Sequence, residues 1–238
     1  MEIHGRKAII LGGTSGIGLE AARQLVDGGA EVVAASRSDA NRDTASRTLG
    51  PNAVIREVDV LDREGLAALF TEQAPFDILV CAATGGPRAL GPFLEMELDG
   101  FRGSFAKLWG YTNAVRLGTK LMSDDGTIVL VSGYPARRPS PGASAISTVG
   151  NAVEGFARAI ASEIAPRRIN VVSPGVISTP MFNLEPELRD TFLASATESF
   201  AIPRAGQSEE VASAIMFLIQ NEYVTGTTVD VDGGALLS

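Results

Sequence analysis

An apolar run that ends in a glycine-rich turn constrains the fold of this chain more than any other stretch. Residues 8–11 are apolar, residues 12–16 are mostly small, and a helical pattern begins near Ile17. This order predicts a strand, a tight turn and a helix. Because the turn has no bulky side chain, its backbone N–H groups can approach a diphosphate, and the helix N-terminus adds partial positive charge. The glycine spacing at Gly12, Gly16 and Gly18 therefore predicts nucleotide binding, although such a loop is a weak signal alone.

The composition argues against several classes of function. The formal net charge of −8 argues against nucleic acid as a partner, because phosphate binding needs a basic face. Cys81 and His4 are the only cysteine and histidine, so neither a disulfide framework nor a His/Cys metal site is expected. No run of about 18 apolar residues offers a membrane span, and residues 1–5 do not resemble the start of a signal peptide. We therefore expect a cytoplasmic protein that acts on a small molecule.

Short β-like runs alternate with segments of helical spacing along the whole chain. The predicted strands are residues 7–11, 31–36, 53–58, 77–81, 127–132, 168–173 and 227–231. The predicted helices begin near residues 17, 40, 63, 100, 144 and 209, with a further helical stretch at 186–195. This alternation predicts an α/β fold: one doubly wound (Rossmann) domain over residues 1–238, with a seven-stranded parallel sheet and helices on both faces. In such folds the ligand crevice lies at the carboxyl ends of the strands.

Two of those strand ends bear on the choice of cofactor. The second strand ends at Ser36 without the acidic residue that would bond a ribose 2′-hydroxyl, and Arg37 follows at once. An arginine there suits a 2′-phosphate and favours NADP(H) over NAD(H), unless Arg37 is only a solvated loop charge. After the third strand, Asp59 and Val60 are placed to hold an adenine. Asp59 is equally able to cap the following helix, for which Asp62 is better placed.

Five segments, in one order along the chain, carry a resemblance to a known family. They are residues 12–18, Asp59-Val60, and residues 128–132, 169–180 and 224–234. Together they resemble the short-chain dehydrogenases/reductases over essentially the whole chain. The resemblance implies that the segment from Pro174 to Thr179 flanks a nicotinamide. The predicted NADP(H) contacts are Gly12, Thr14, Ser15, Gly16, Ile17, Gly18, Ser36, Arg37, Asp59, Val60, Ala82, Ala83, Pro174, Gly175, Ile177 and Thr179.

The catalytic positions depart from the family pattern. Reduction of a carbonyl needs a proton donor aimed at the oxygen, which the family usually supplies as Tyr-x-x-x-Lys. Alignment backwards from Pro174-Gly175 puts Ile146 at the tyrosine position and Gly150 at the lysine position. A shifted register does not restore the pair, because the only tyrosines are Tyr111, Tyr134 and Tyr223 and no lysine follows Lys120. The chain is therefore identified as an atypical member of the family.

Three residues are candidates for the missing proton transfer. Lys107 stands where the family has a helix asparagine, and desolvation there would lower its pKa and make it an acid or base; otherwise it is a solvated or salt-bridged lysine. Ser132 lies near the family's serine, although the alignment puts Gly133 at that position. Tyr134 is the only tyrosine near enough to replace the lost one, or it forms a wall of the pocket. The adjacent Arg137 and Arg138 bind an anionic substrate or are solvated or at a subunit contact.

The segment at 181–206 corresponds to the family's substrate lid. Its apolar side chains would either close over a ligand or simply pack a surface helix against the body. Three functions fit the chain: an NADP(H)-dependent oxidoreductase acting on a carbonyl, alcohol or imine; an NADP(H)-binding protein without turnover, as a redox sensor or partner subunit; and a non-redox enzyme on the same fold. The resemblance also implies a homo-oligomer, either a tetramer or a dimer.

Overall fold

Seven strands form one parallel sheet in the computed structural model, which describes residues 1–182 and 184–237. The strands are β1 (Lys7–Leu11), β2 (Glu31–Ser36), β3 (Ala53–Glu57), β4 (Phe76–Cys81), β5 (Met122–Val131), β6 (Arg168–Pro174) and β7 (Thr228–Val231). Their order is β3-β2-β1-β4-β5-β6-β7, and every neighbouring pair is parallel. The winding reverses between β1 and β4, which places a crevice at the carboxyl ends of these strands.

Helices cover both faces of the sheet. They are α1 (Gly16–Asp27), α2 (Asp39–Leu49), α3 (Arg63–Gln73), α4 (Leu98–Gly118), α5 (Ser144–Ile160), α6 (Pro186–Thr197) and α7 (Ser208–Gln220). Buried side chains of α1, α2 and α7 form one hydrophobic cluster with the sheet, and those of α3, α4 and α5 form another on the opposite face. The central strands are apolar on both sides for this reason. The predicted seven-stranded, single-domain Rossmann fold is confirmed.

The main differences from the predicted elements lie at the start of β5 and of α4. β5 begins at Met122 rather than at residue 127, because its polar start has partners on the neighbouring strand. The hydroxyl of Ser123 donates to the Asp77 carboxylate at 2.8 Å, and Arg6 pairs with the same carboxylate at 2.9 Å. Such polar pairs satisfy groups that a pattern of apolar residues does not register. α4 begins two residues before the predicted position, at Leu98.

The described part of the chain holds no helix long and apolar enough to cross a bilayer. Within residues 1–182 and 184–237, no group of three or more His, Cys, Asp or Glu side chains is placed to hold a metal ion.

Candidate nucleotide cleft and active site

A cleft of about 1110 Å³ opens at the carboxyl ends of the strands. Its walls are the segments that follow β1, β2, β4, β5 and β6, together with parts of α4, α5 and α6. All the predicted cofactor residues except Asp59 line it, and so do Lys107, Ser132 and Tyr134. The parallel sheet therefore brings residues that are distant in sequence into one cavity at the carboxyl ends of its strands.

The turn after β1 is built on glycines that the packing requires. Gly12 has φ +84°, and a Cβ there would lie 2.5 Å from the backbone nitrogen of Ala83. A Cβ on Gly18 would lie 2.1 Å from the carbonyl oxygen of Gly12. The turn therefore packs tightly against β4 and α1, and α1 starts in the cleft with no acidic residue in its first turn. The first N–H groups of a helix lack partners within it, so this end of the cleft suits a diphosphate.

The end of β2 forms the adjoining part of the cleft. The hydroxyl of the buried Thr14 donates to Ser36 Oγ at 2.6 Å and fixes the glycine turn against this strand. Arg37 is half exposed and lies 3.6 Å from the carboxylate of Asp59. Asp59 does not line the cleft, and its other carboxylate oxygen accepts from the backbone N–H of Leu61 at 2.9 Å. Asp62, as anticipated, caps α3.

Lys107 extends from α4 to the floor of the cleft. Its Nζ donates to the carbonyl oxygen of Ser132 at 3.2 Å and lies 5.7 Å from the centre of the Tyr111 ring. Desolvation at this site, followed by the positive charge of Arg88, lowers the pKa of Lys107 to about 7. A lysine with that pKa exchanges protons readily at neutral pH. This is the environment that the acid or base hypothesis requires.

The hydroxyl of Ser132 is engaged by α5. It donates to the carbonyl oxygen of Gly150 at 3.2 Å and lies 3.5 Å from the carboxylate of Glu154. Glu154 is buried, and this burial raises the pKa of its carboxyl group. The backbone carbonyl of Ser132, rather than its hydroxyl, is thus the atom that contacts Lys107. A role for the hydroxyl toward substrate stays a prediction.

Tyr134 lines the cleft from a short turn after β5. Its ring packs edge-on against Phe200 at 5.8 Å, within a cluster that also includes Val176 and Leu193. The ring is half-buried by this packing. Its part in proton transfer therefore also stays a prediction, and the observed packing is that of an apolar wall.

The face of α5 that meets the cleft carries Ile146 and Gly150. A Cβ at Gly150 would lie 2.8 Å from Cβ of Ala136 and 3.3 Å from the Ser132 hydroxyl oxygen. Ala136 is buried in the turn after β5, and Asn151 donates a hydrogen bond to its carbonyl oxygen. This part of the helix is therefore packed for a residue without a side chain.

Comparison with known proteins indicates the family of this chain. Residues 12–235 match the family model described as enoyl-(acyl carrier protein) reductase. The human dehydrogenase/reductase SDR family member 4 is 32% identical over 252 residues, covering 95% of this chain and 86% of the relative. This chain belongs to the short-chain dehydrogenase/reductase family. The chain is therefore an oxidoreductase of this type, and the cleft is its candidate active site.

Two further proteins that are similar to this short-chain dehydrogenase/reductase are described by the ligands that they bind. The cyclic-di-GMP-binding biofilm dispersal mediator protein of Escherichia coli (strain K12) is 32% identical over 237 residues, covering 96% of each chain. The structure of a small-chain dehydrogenase in complex with NADPH is 28% identical, with a TM-score of 0.82, covering 98% of this chain and 100% of that one. The family thus includes relatives described by a bound ligand as well as by an activity.

Two arginines were considered as ligands for an anionic substrate of this short-chain dehydrogenase/reductase. Both form their contacts outside the cleft. Arg137 pairs with Asp230 and, at 3.4 Å, with Glu154. Arg138 donates to the carbonyl oxygen of Ala235 at 2.7 Å. Neither lines the cleft. Cys81 is fully buried in β4, and desolvation raises the pKa of its thiol, which makes it a core residue rather than a nucleophile.

Sequence reasoning missed Arg88, which also lines the cleft. It lies in the loop after β4, where residues 84–88 read Thr-Gly-Gly-Pro-Arg, and donates to the thioether sulfur of Met181. A signal was available, because the loop follows the carboxyl end of a central strand.

Proposed function

We propose that this chain is an NADP(H)-dependent oxidoreductase that interconverts a carbonyl compound or imine with the corresponding alcohol or amine, and that Lys107 transfers the proton. One observation carries the proposal: the amino group of Lys107 lies in the cleft, held by the Ser132 carbonyl, with a pKa lowered to about 7. General acids work best when their pKa lies near the operating pH.

The donors that line the cleft fit NADP(H). The glycine turn and the N-terminus of α1 suit the diphosphate, and Arg37 at the end of β2 suits a 2′-phosphate. Pro174, Gly175, Ile177 and Thr179 also line the cleft, and the nicotinamide is expected beside them. When bound, NADPH supplies a hydride to the carbonyl carbon. The solved NADPH complex of a small-chain dehydrogenase supports this choice of cofactor.

The protonated Lys107 would hydrogen-bond the substrate oxygen and give it a proton as negative charge develops there. In the reverse direction, the neutral amine would take the proton from an alcohol. The Ser132 carbonyl restrains Nζ, and such positioning contributes to rate by itself. Tyr134 would bound the substrate on the other side.

We also propose that the family's usual tyrosine and lysine are replaced here by Ile146 and Gly150. Ile146 has no exchangeable proton, and the packing around Gly150 leaves no space for a lysine stem. The sequence itself supports this assignment, because no tyrosine of the chain is followed four residues later by a lysine. The assembly we propose is a homodimer or homotetramer in the cytoplasm.

Consumption of NADPH with a panel of ketones, aldehydes and imines tests the function. The wild-type chain should turn over at least one of these classes. Lys107→Met should lower kcat by at least about 100-fold, within the range for loss of a general acid. It should leave the Kd for NADPH within about twofold, because Lys107 is not among the predicted NADP(H) contacts.

Lys120→Met is the matched control, since Lys120 is exposed and does not line the cleft. It should leave both kcat and NADPH affinity unchanged. Equal rates in the wild type and Lys107→Met would remove Lys107 from the mechanism. A Tyr134→Phe variant, made in parallel, should retain most of the activity, and its inactivity would assign proton transfer to that phenol.

A second function, NADP(H) binding without turnover, is favoured by one comparison. The Escherichia coli relative is described by the nucleotide it binds and by a regulatory effect. Tight NADPH binding combined with no consumption across the whole panel would support this function and contradict ours.

A further inference from the structure

The charge of the cleft is opposite to that of the chain. The sequence has 28 acidic and 20 basic residues, yet the described residues that line the cleft include three cations and no aspartate or glutamate. The cations are Arg37, Arg88 and Lys107. A cleft lined by one sign of charge raises the local concentration of ligands of the other sign. The composition therefore does not account for this lining, and an anionic ligand does.

Only one of the three cations is among the predicted NADP(H) contacts. Arg37 lies beyond β2, where it suits the 2′-phosphate and is already paired with Asp59. Arg88 and Lys107 lie on the loop after β4 and on α4, and neither is among the predicted NADP(H) contacts. The negative groups of NADP(H) are expected at the glycine turn and at Arg37, so the proposed cofactor contacts do not account for the charges of Arg88 and Lys107.

Arg88 and Lys107 have only neutral partners among the residues that the structure describes. Arg88 donates to the thioether sulfur of Met181, and Lys107 donates to the Ser132 carbonyl. No carboxylate of the described chain lies within 4.0 Å of either side chain, whereas other basic residues along the chain pair with acidic neighbours. Two neighbouring cations without a counter-charge repel each other, and an incoming anion relieves this repulsion.

We propose that the substrate carries a carboxylate, which the guanidinium of Arg88 holds while the reacting carbonyl faces Lys107. This inference rests on the proposed function of the same cleft. An arginine suits the task because its planar fork of donors matches a carboxylate in two parallel hydrogen bonds. The cleft is also lined by the apolar side chains of Leu90, Phe182 and Phe192, and therefore accepts the hydrocarbon part of such a substrate. The substrate class is an oxo acid with an apolar chain or ring.

The substrate carboxylate also assists proton transfer in this arrangement. Its negative charge, placed between Arg88 and Lys107, offsets the repulsion that the guanidinium exerts on the ammonium group. Lys107 then stays protonated until the hydride is transferred. A neutral substrate of the same shape lacks this effect, so the preference for an acid should appear in kcat as well as in KM.

Matched pairs of 2-oxo and 3-oxo carboxylates and their methyl esters test the proposal with NADPH. The wild type should favour each acid over its ester by at least about tenfold in kcat/KM, a common effect of one charge-assisted interaction. Arg88→Met should abolish this preference while leaving the Kd for NADPH unchanged. Arg88→Lys should retain part of the preference, and Arg102→Met, at an exposed position on α4, should retain all of it.

A binding measurement separates this proposal from the proposed function. Calorimetric titration of hexanoate, with hexanamide as the neutral control, into the NADPH-loaded protein should show Arg88-dependent binding of the acid alone. If such binding occurs without turnover of any carbonyl, the carboxylate site stands and the oxidoreductase function fails. If turnover occurs but Arg88→Met leaves the acid-to-ester ratio unchanged, the carboxylate site is wrong. A loss of NADPH affinity of more than about tenfold in Arg88→Met would assign Arg88 to the cofactor instead.

Discussion

Gly150 shows how one residue limits the chemistry of the cleft. Helix interiors disfavour glycine by about 1 kcal/mol relative to alanine, so a glycine in the middle of α5 needs a reason. The reason is the approach of Ala136, whose Cβ would lie 2.8 Å from any Cβ at position 150. A lysine at this position would have to displace the turn after β5. Restoring the usual pair with Ile146→Tyr and Gly150→Lys is therefore not a simple exchange of side chains.

The helix offers a matched test of this packing. Gly150→Ala should lower the free energy of unfolding by about 1 kcal/mol, because overpacking costs about 1–3 kcal/mol and the gain in helix propensity returns about 1. Gly155→Ala, five positions later on α5, meets nothing within 4 Å and should raise the free energy of unfolding by up to about 1 kcal/mol. Urea denaturation with unchanged m-values measures both. Stabilisation of equal size at the two positions would show that Ala136 yields freely.

Arg37 carries the prediction about cofactor choice. Arg37→Gln should raise the Kd for NADPH by about 10- to 100-fold, the usual worth of charge-assisted hydrogen bonds, and leave the Kd for NADH unchanged. The exposed Arg47→Gln on α2 is the control and should change neither value. Fluorescence titration of the reduced cofactors provides the measurement. Equal affinity of the wild type for NADPH and NADH would remove the proposed role of Arg37.

The sequence predicted which residues line the cleft more completely than it predicted their hydrogen bonds and their electrostatic environment. The predicted cofactor residues other than Asp59 line the cleft, because strand ends and family motifs are local patterns. The lowered pKa of Lys107 depends on desolvation and on Arg88, which the chain brings close only when folded. The engagement of the Ser132 hydroxyl by the Gly150 carbonyl likewise follows from the packing of α5 against β5. Arg88 was missed because no family motif contains it.

At the scale of elements, α6 combines the two possibilities raised by its apolar pattern. Leu193 is buried in the cluster with Tyr134 and Phe200, so the helix packs against the body. Phe182 and Phe192 lie in ring contact at 5.2 Å and line the cleft, so the same segment also forms part of the cleft wall. The predicted lid over 181–206 includes Asn183, which lies outside the described residues. We propose that this segment closes over bound ligand.

Limited proteolysis tests the proposed closure. Leu184, Leu188 and Phe192 are exposed and offer chymotrypsin its sites on this segment. Saturating NADPH with a substrate analogue should slow cleavage there by at least about fivefold, because bound ligand stabilises the closed segment. Tyr223, fully exposed in the loop before β7, provides an internal control whose cleavage should not change. Equal protection at both places would indicate global stabilisation without closure of a lid.

The bounds of the strands show which structural features a local sequence pattern can predict. β1 and β2 match their predicted bounds because both are continuous apolar runs bounded by glycines or polar residues. The start of β5 was missed because Ser123 and Asp125 satisfy their polar groups with Asp77 and Arg6, on other parts of the sheet. Periodicity reports burial, whereas this strand end is held by pairs distant in sequence.

At the scale of the whole molecule, the fold separates the functions of the cleft. The parallel sheet supports the loops that line the cleft. In the proposed function the glycine turn and α1 receive the diphosphate, while Lys107 on α4 and Arg88 on the loop after β4 meet the substrate. The acidic residues lie outside the cleft lining, so the positive potential inside it belongs to the ligand site. The central claim is that, in this arrangement, a lysine on α4 does the work that a tyrosine does elsewhere in the family.

The pH dependence of kcat/KM for NADPH-dependent reduction tests this claim most directly, since kcat/KM reports groups of the free enzyme. Reduction needs the protonated Lys107, so the value should be constant below its pKa and fall tenfold per pH unit above about 7. Alcohol oxidation should show the opposite dependence, and Lys107→Met should be slow with no break near that pH. A wild-type profile that stays flat through this range, or that keeps its break in Lys107→Met, would contradict the account.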